Sequence, residues 1–417
     1  MLQLLFVIFL STFSSFAQLE RNSVFRFQGS KVVTTINLQN YVAKRKLLYY
    51  IPKSVDISKP TTVVVYLHGG NSNMTQEGAL DVADTLFWGT ADGPFARKDG
   101  IRPIAEKEQF IVVMPTTTAG WNDFTPFYMQ EVLTLIRKEL NPDPNKIFLL
   151  GHSMGAMGIC RSAMRLAQEF AMFFPMSGGF QPFLKDYSLM ASLFNTKVYI
   201  TSGEKYEFPV FISWNIDFEQ FLKDKNTTDY FKVDAADWQF VIHNGTHNPN
   251  MPMMREKLRT FTKEIKRNIY QSNLFGTVYQ GKPSPNYILK NEMRRYFWFE
   301  ALRFREFDPS ENDVGVSFRM YSKENTIDLY IDRPIKYKYD TRPHLEKIRL
   351  HLSEKLFNLE IPLRVNLITM RGTMEQKSIL FEGLIERNNE ASKALQAESL
   401  DKGLVFEAFL DVSLPRN

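Results

Sequence analysis

The chain has 417 residues, of which 44% are hydrophobic and 23% charged, so its composition excludes disordered and fibrous proteins. The length suffices for one large domain and a smaller one. The formal net charge of +5 is small and both signs are interspersed, so we expect no nucleic-acid partner. Cys160 is the only cysteine, which excludes an internal disulfide and leaves stability to the core.

The N-terminal segment 1–17 is typical of a secretory signal peptide. It is an apolar block that ends in small residues, with Ser15 and Ala17 at the −3 and −1 positions of a cut after Ala17. It lacks the usual basic residue, and an uncleaved membrane anchor is the alternative. Because the block is shorter than the ~20 residues that span a bilayer, we expect cleavage. The sequence predicts a secreted or periplasmic protein with no membrane span in the mature chain.

Strands and helices alternate along the next part of the chain. Near-continuous aliphatic runs at 61–68 and 110–115 are typical of strands buried on both faces of a parallel sheet. Further strands are predicted at 46–52, 146–151, 170–177, 197–203 and 238–245, and helices at 127–140, 157–170, 212–224 and 253–268. This alternation predicts a three-layer α/β domain at 18–268.

The pattern changes after the last of these helices. Residues 269–292 are rich in Gly, Pro, Ser and Asn, and we interpret them as a linker. Residues 293–417 consist mostly of β-like runs, with clear period-2 alternation at 348–353 and one predicted helix at 389–399. The sequence therefore predicts a small antiparallel β-sandwich as a second, C-terminal domain.

Residues 151–155 read GHSMG and fit the pattern G-x-S-x-G. A serine in this pattern stands at a strained turn between a strand and a helix, and small residues around it let the chains cross. The helix that follows points its first amides at the place where negative charge develops in acyl transfer. A plain glycine-rich turn is the alternative, but the predicted strand before and helix after favour Ser153 as a nucleophile.

A serine nucleophile needs a base, and the chain has six histidines. We expect His152 to be directed away from the serine and His243 to be a core or edge residue of its strand, and two others belong to the β-rich tail. His247 lies in the loop between the strand 238–245 and the last helix of the α/β domain. Because parallel sheets present such loops at their carboxyl edge, we predict His247 as the base.

The segment LHGGNS resembles the glycine-rich oxyanion turn of lipases and esterases. Gly69 and Gly70 let the backbone approach a substrate carbonyl, and the amide of Met154 is the predicted second donor. His68 is interpreted as a scaffold residue, and a purely structural turn is the alternative.

LHGG, GHSMG and the NGTH segment before a helix together resemble the α/β-hydrolase superfamily. Within it, the range 45–265 is similar to secreted esterases related to polyhydroxybutyrate depolymerases and to feruloyl or acetyl-xylan esterases, as in NKIFLLGHSMGAMG. The tail, as in RYFWFEAL and NTIDLYI, resembles a β-domain found behind some of these hydrolases. The resemblance implies an α/β-hydrolase three-layer sandwich with a mostly parallel sheet and a Ser-His-acid triad.

The expected acid departs from the pattern of this group, which often has G-x-x-D followed by proline. Here the loop reads GEKYEFPV, with Tyr206 at the position of the aspartate. A carboxylate is needed to orient the base. Glu207 is the first candidate, followed by Glu204 and Asp217, and the absence of any completing acid stays open.

These features predict an exported serine hydrolase that cleaves carboxylic esters through an acyl-enzyme. The substrate is expected to be a small ester or one linked to a plant or microbial polysaccharide, and neither a metal nor an organic cofactor is expected. A serine peptidase of the same fold is one alternative. The other is a catalytically weak hydrolase-fold protein that binds carbohydrate. The oligomeric state is not predicted.

Overall fold

The structure is a computed structural model. It describes residues 28–38, 43–56, 58–70, 73–88, 100–122, 125–181, 191–205, 207–232, 237–281, 295–304, 313–331, 345–371 and 374–415. The predicted signal peptide, residues 282–292 of the predicted linker, and Tyr206 lie outside these ranges. Among the described helices, none combines the length and the apolarity needed to cross a membrane.

An eight-stranded sheet lies at the centre of the first part of the chain. Its strands are β1 (Lys31–Leu38), β2 (Ala43–Tyr50), β3 (Thr61–Leu67), β4 (Ile111–Pro115), β5 (Pro142–His152), β6 (Met172–Met176), β7 (Lys197–Gly203) and β8 (Trp238–His243). Their order is β1-β2-β4-β3-β5-β6-β7-β8. Strands β3 to β8 are parallel, and β2 runs antiparallel to both of its neighbours. The predicted mostly parallel sheet is confirmed.

Helices cover both faces of this sheet. They are α1 (Gln76–Trp88), α2 (Arg102–Glu108), α3 (Thr125–Glu139), α4 (Met154–Ala163), α5 (Pro209–Lys223), α6 (Lys225–Phe231) and α7 (Met251–Glu264). Val63 and Val65 of β3 share a buried cluster with α3 and α4, whereas Val64 and Tyr66 share another with α1, α2 and α7. Because successive side chains of a strand point to opposite faces, these two clusters define three layers.

Two further sheets follow α7. Their elements are β9 (Asn273–Gly281), β10 (Arg295–Tyr296), β11 (Phe299–Phe304), β12 (Asp313–Lys323), β13 (Thr326–Ile331), β14 (Leu345–Leu352), β15 (Leu363–Arg371), β16 (Met374–Gly383), α8 (Asn389–Ser399) and β17 (Ala408–Ser413). One sheet has the order β10-β11-β14-β17, and the other has the order β16-β15-β13-β12-β9. The rings of Phe299 and Phe318 stack with their centroids 4.0 Å apart, so the sheets pack face to face.

This C-terminal region differs from the sequence-based expectation in two places. Strand β9 lies inside the range predicted as a linker, and its Leu274 and Val278 are buried in the same cluster as α3 and α4. The second sheet is not wholly antiparallel, because β13 pairs with β15 in parallel. Between β13 and β15 the chain forms β14, which belongs to the other sheet. This excursion supplies the crossover connection that two parallel strands require. The division into domains at 18–268 and 293–417 stays a prediction.

Candidate active site

Ser153 stands at the turn between β5 and α4. Its φ of 55° and ψ of −117° lie in a region that residues other than glycine rarely adopt. A Cβ atom on Gly155 would lie 2.2 Å from the carbonyl oxygen of Leu67, and one on Gly151 would lie 2.9 Å from it. The backbone of β3 therefore approaches this turn too closely for side chains at either glycine, which is the steric role that the spacing predicts.

Ser153, His247 and Glu207 form one continuous chain of hydrogen bonds. Nε2 of His247 lies 2.9 Å from Oγ of Ser153, and Nδ1 of His247 lies 2.6 Å from Oε1 of Glu207. The loop after β8 carries His247 and the loop after β7 carries Glu207, so both side chains come from the carboxyl edge of the sheet. Because an ionised carboxylate only accepts hydrogen bonds, Nδ1 carries the ring proton and Nε2 accepts from the serine hydroxyl.

The carboxylate of Glu207 is enclosed, with none of its side-chain surface exposed. Besides His247, it accepts hydrogen bonds from the amide of Gly203 at 3.2 Å and from the amide of Phe208 at 2.9 Å. Burial alone raises the pKa of Glu207, but interactions with the imidazole of His247, the hydroxyl of Ser177 and the amide of Phe208 outweigh burial and lower the pKa below its ordinary value. Glu207 is therefore ionised and able to orient the histidine.

The two alternative acids lie elsewhere. Glu204 is exposed in the loop after β7, and Asp217 is exposed on α5. Nδ1 of His247 is hydrogen-bonded to Glu207 and Nε2 to Ser153, so the structure brings neither Glu204 nor Asp217 to the ring.

The turn that carries Gly69 and Gly70 lies against the nucleophile. A Cβ atom on Gly69 would lie 3.3 Å from Cβ of Ser153. Gly70 has a φ of +119°, a conformation that favours glycine. Met154, whose amide is the other predicted donor, begins α4 directly after the serine. The structure therefore brings together the residues that the sequence predicts for an oxyanion site.

His68 holds this turn through both of its ring nitrogens. Nε2 lies 3.1 Å from the amide of Thr117 and accepts its hydrogen bond, so Nδ1 carries the proton and donates to the carbonyl of Gly69 at 2.7 Å. Burial lowers the pKa of His68, which favours this neutral ring. Trp121 donates from Nε1 to the carbonyl of His68 at 2.9 Å. Because the C=O and N–H of one peptide point in opposite directions, the bound Gly69 carbonyl turns the amide of Gly70 away from the His68 ring.

His152 has contacts that the sequence reasoning missed. Its Nε2 lies 2.6 Å from the backbone oxygen of His247, across 95 positions of the chain. A Cβ atom on Gly69 would lie 3.0 Å from its Nδ1. His152 thus contacts the loop of the base and the glycine turn at once, whereas the sequence predicted only that it is directed away from Ser153. The position of His152 directly before Ser153 was the only feature of the sequence that indicated these contacts.

The described residues contain no cluster of three or more His, Cys, Asp or Glu side chains that could hold a metal ion.

Comparison with known proteins gives matches among solved structures only. No family model matches the chain, and no curated protein matches it. The match to a thermostable esterase is 18% identical with a TM-score of 0.41, and covers 58% of this chain and 64% of that one. A ferulic acid esterase is 19% identical with a TM-score of 0.41, over 56% of this chain and 97% of that one. An S-formylglutathione hydrolase from Staphylococcus aureus is 17% identical with a TM-score of 0.41, over 56% and 96%. What the site can do chemically therefore follows from its own geometry.

Proposed function

We propose that the protein is a serine hydrolase that cleaves carboxylic esters. The observation that carries this proposal is the chain from Ser153 through His247 to Glu207, with links of 2.9 Å and 2.6 Å, on a strained turn. Such a chain supplies a nucleophile, a base and a carboxylate that orients the base.

In the proposed reaction, Oγ of Ser153 attacks the ester carbonyl carbon while Nε2 of His247 takes the hydroxyl proton. The carbonyl oxygen becomes an oxyanion, which the amides of Met154 and Gly70 stabilise, and Gly69 leaves room for its approach. Collapse of this intermediate breaks the bond to the alcohol, which leaves with the proton from Nε2. Water then attacks the acyl-enzyme, gives its proton to the same nitrogen, and releases the carboxylic acid as Oγ regains a proton.

Glu207 supports the enzymatic function over the carbohydrate-binding one. The sequence leaves the binding function open because the expected aspartate is missing. In the structure, the carboxylate of Glu207 lies at Nδ1 of His247, where that aspartate would be needed. A serine peptidase would use the same residues, so an ester and an amide of one acyl group should be compared. Polysaccharide-linked esters and export of the chain stay predictions of the sequence.

Labelling with a fluorophosphonate probe and hydrolysis of p-nitrophenyl acetate test the proposal. We expect the protein to be labelled on Ser153, and we expect Ser153→Ala to lose labelling and about 10⁴-fold or more of the turnover. Ser58→Ala removes an exposed serine and is the matched control, which should keep both activities. A wild-type protein that is neither labelled nor active would contradict the proposed function.

A further inference from the structure

A partly exposed aromatic cluster adjoins the base. Phe208 directly follows Glu207 and is 55% exposed. Its ring meets that of His247 edge-on with centroids 4.9 Å apart, and the ring of Phe211 is inclined by 26° to that of His247 with centroids 6.1 Å apart. Trp214 continues the cluster, 5.8 Å from Phe211. We call Phe208, Phe211 and Trp214 the aromatic platform.

The composition of this surface is unusual for the first turn of an exposed helix. Residues 208–212 read FPVFI and have no side chain that can donate or accept a hydrogen bond. Val210 is 42% exposed beside Phe208. Single exposed apolar residues are common in proteins, but contiguous ones in contact with a reactive histidine indicate a surface that a ligand covers.

The platform lies beside the imidazole that protonates the leaving alcohol in the proposed reaction. In the proposed reaction the alcohol oxygen receives its proton from Nε2 of His247, so it must come within about 3 Å of that atom. The predicted donors to the oxyanion belong to other segments, the start of α4 and the turn in which Gly69 packs against Ser153. Groups attached to the alcohol oxygen therefore lie close to this imidazole, against which the exposed Phe208 ring packs.

We propose that the aromatic platform is the subsite for the alcohol part of the ester and that this alcohol is apolar, either aryl or alkyl. This inference rests on the proposed function. A sugar or polyol placed against the platform would lose several hydrogen bonds to water, and of the three platform residues only Trp214 could replace one of them, through its indole N–H, which is unfavourable. An apolar alcohol loses nothing there and buries its surface against Phe208.

Three acetates with the same acyl group and primary alcohols test this subsite: ethyl acetate, benzyl acetate and glycerol 1-acetate. We expect kcat/KM for benzyl acetate to exceed the other two by about 10-fold, since burying a few carbon atoms suffices for that ratio. Phe208→Ser should remove most of this preference, because the rate for benzyl acetate should fall more than the rate for ethyl acetate, whereas Phe208→Leu should retain most of it. Ile379→Ser changes an equally exposed apolar residue on β16, 57% exposed, and should change none of the three rates.

Two outcomes overturn the subsite while leaving the proposed function intact. One is a wild-type protein that hydrolyses the three acetates equally, or glycerol 1-acetate fastest. The other is an equal fall for all three acetates in Phe208→Ser, because Phe208 would then only support His247. If no acetate is hydrolysed and the fluorophosphonate probe does not react, the proposed function itself is wrong, and the subsite with it.

Discussion

The carboxylate of Glu207 accepts hydrogen bonds from Nδ1 of His247 and from the amides of Gly203 and Phe208. These donors stabilise a buried negative charge that water does not reach. The same charge fixes the tautomer of His247 in which Nε2 can accept a proton from Ser153. At the scale of single residues, the reactivity of the serine therefore depends on this one carboxylate.

Replacing Glu207 by glutamine tests that dependence. The amide keeps the size of the side chain but can present N–H groups to Nδ1, which favours the tautomer that cannot accept the serine proton. We expect kcat for p-nitrophenyl acetate to fall by about 10³- to 10⁴-fold. Glu204→Gln and Asp217→Asn change exposed carboxylates nearby and should stay within about twofold of the wild type. Equal activity in all three variants would contradict the assignment.

The sequence predicts some of these residues better than others. Ser153 is recognisable because its motif is local and has a steric reason. The choice among Glu207, Glu204 and Asp217 depends on the path of one loop, which spacing along the chain does not determine. The contact of His152 with the loop of His247 joins distant segments and has no local signal.

At the scale of elements, the site depends on how closely β3 and α4 approach. Gly155 lies where any Cβ atom would meet the backbone of Leu67, and backbone cannot rotate aside as a side chain does. The turn at Ser153 can therefore keep its strained conformation only because the surrounding strands and helix hold it.

Gly155→Ala should destabilise the protein by about 2 kcal/mol or more, because overpacking against backbone forces α4 away from β3. Gly78→Ala is the matched control, since Gly78 lies in α1 and its nearest contact is Oγ1 of Thr75 at 3.3 Å. Alanine is the better helix former but the contact with Thr75 opposes it, so this control should change the free energy of unfolding by less than about 1 kcal/mol. Urea unfolding followed by fluorescence measures both, and midpoints that shift equally would contradict the steric argument.

The sequence predicted helices and strands well where the apolar periodicity begins and ends with the element, and poorly where the periodicity extends beyond it. The helix after the serine was predicted at 157–170, but α4 is Met154–Ala163. Leu166 and Phe170 are buried beyond its end, so the apolar pattern continues although the helix stops. In β9, Gly276 contributed to the prediction of a linker. A Cβ atom at this position would lie 2.7 Å from the Tyr296 ring, so the glycine allows the ring to pack closely against the strand.

At the scale of the whole molecule, buried ion pairs join the C-terminal region to the α/β part. Asp401, which follows α8, pairs with Arg267 at 2.6 Å, and both side chains are 2% exposed. Asp401 also pairs with Arg137 of α3 at 3.1 Å, and Arg137 pairs with Glu169. The sequence predicted two domains and a linker but could not predict this junction, because Arg267 and Asp401 are 134 positions apart.

Asp401→Asn leaves the buried Arg267 without a balancing charge and leaves Arg137 paired with Glu169 alone, and we expect it to lower the free energy of unfolding by about 3–5 kcal/mol near neutral pH. Asp229→Asn breaks an exposed pair with Lys225 and, as the control, should cost less than about 1 kcal/mol.

Burial raises the pKa of Asp401, but Arg267 and Arg137 outweigh it and lower the pKa to about 2. A lowered pKa stabilises the folded state above the pKa of the unfolded aspartate, about 3.9, and this contribution is lost as the pH falls towards the folded value. Urea unfolding at several pH values should therefore show the wild type approaching Asp401→Asn on acidification, and a gap that widens instead would contradict the junction.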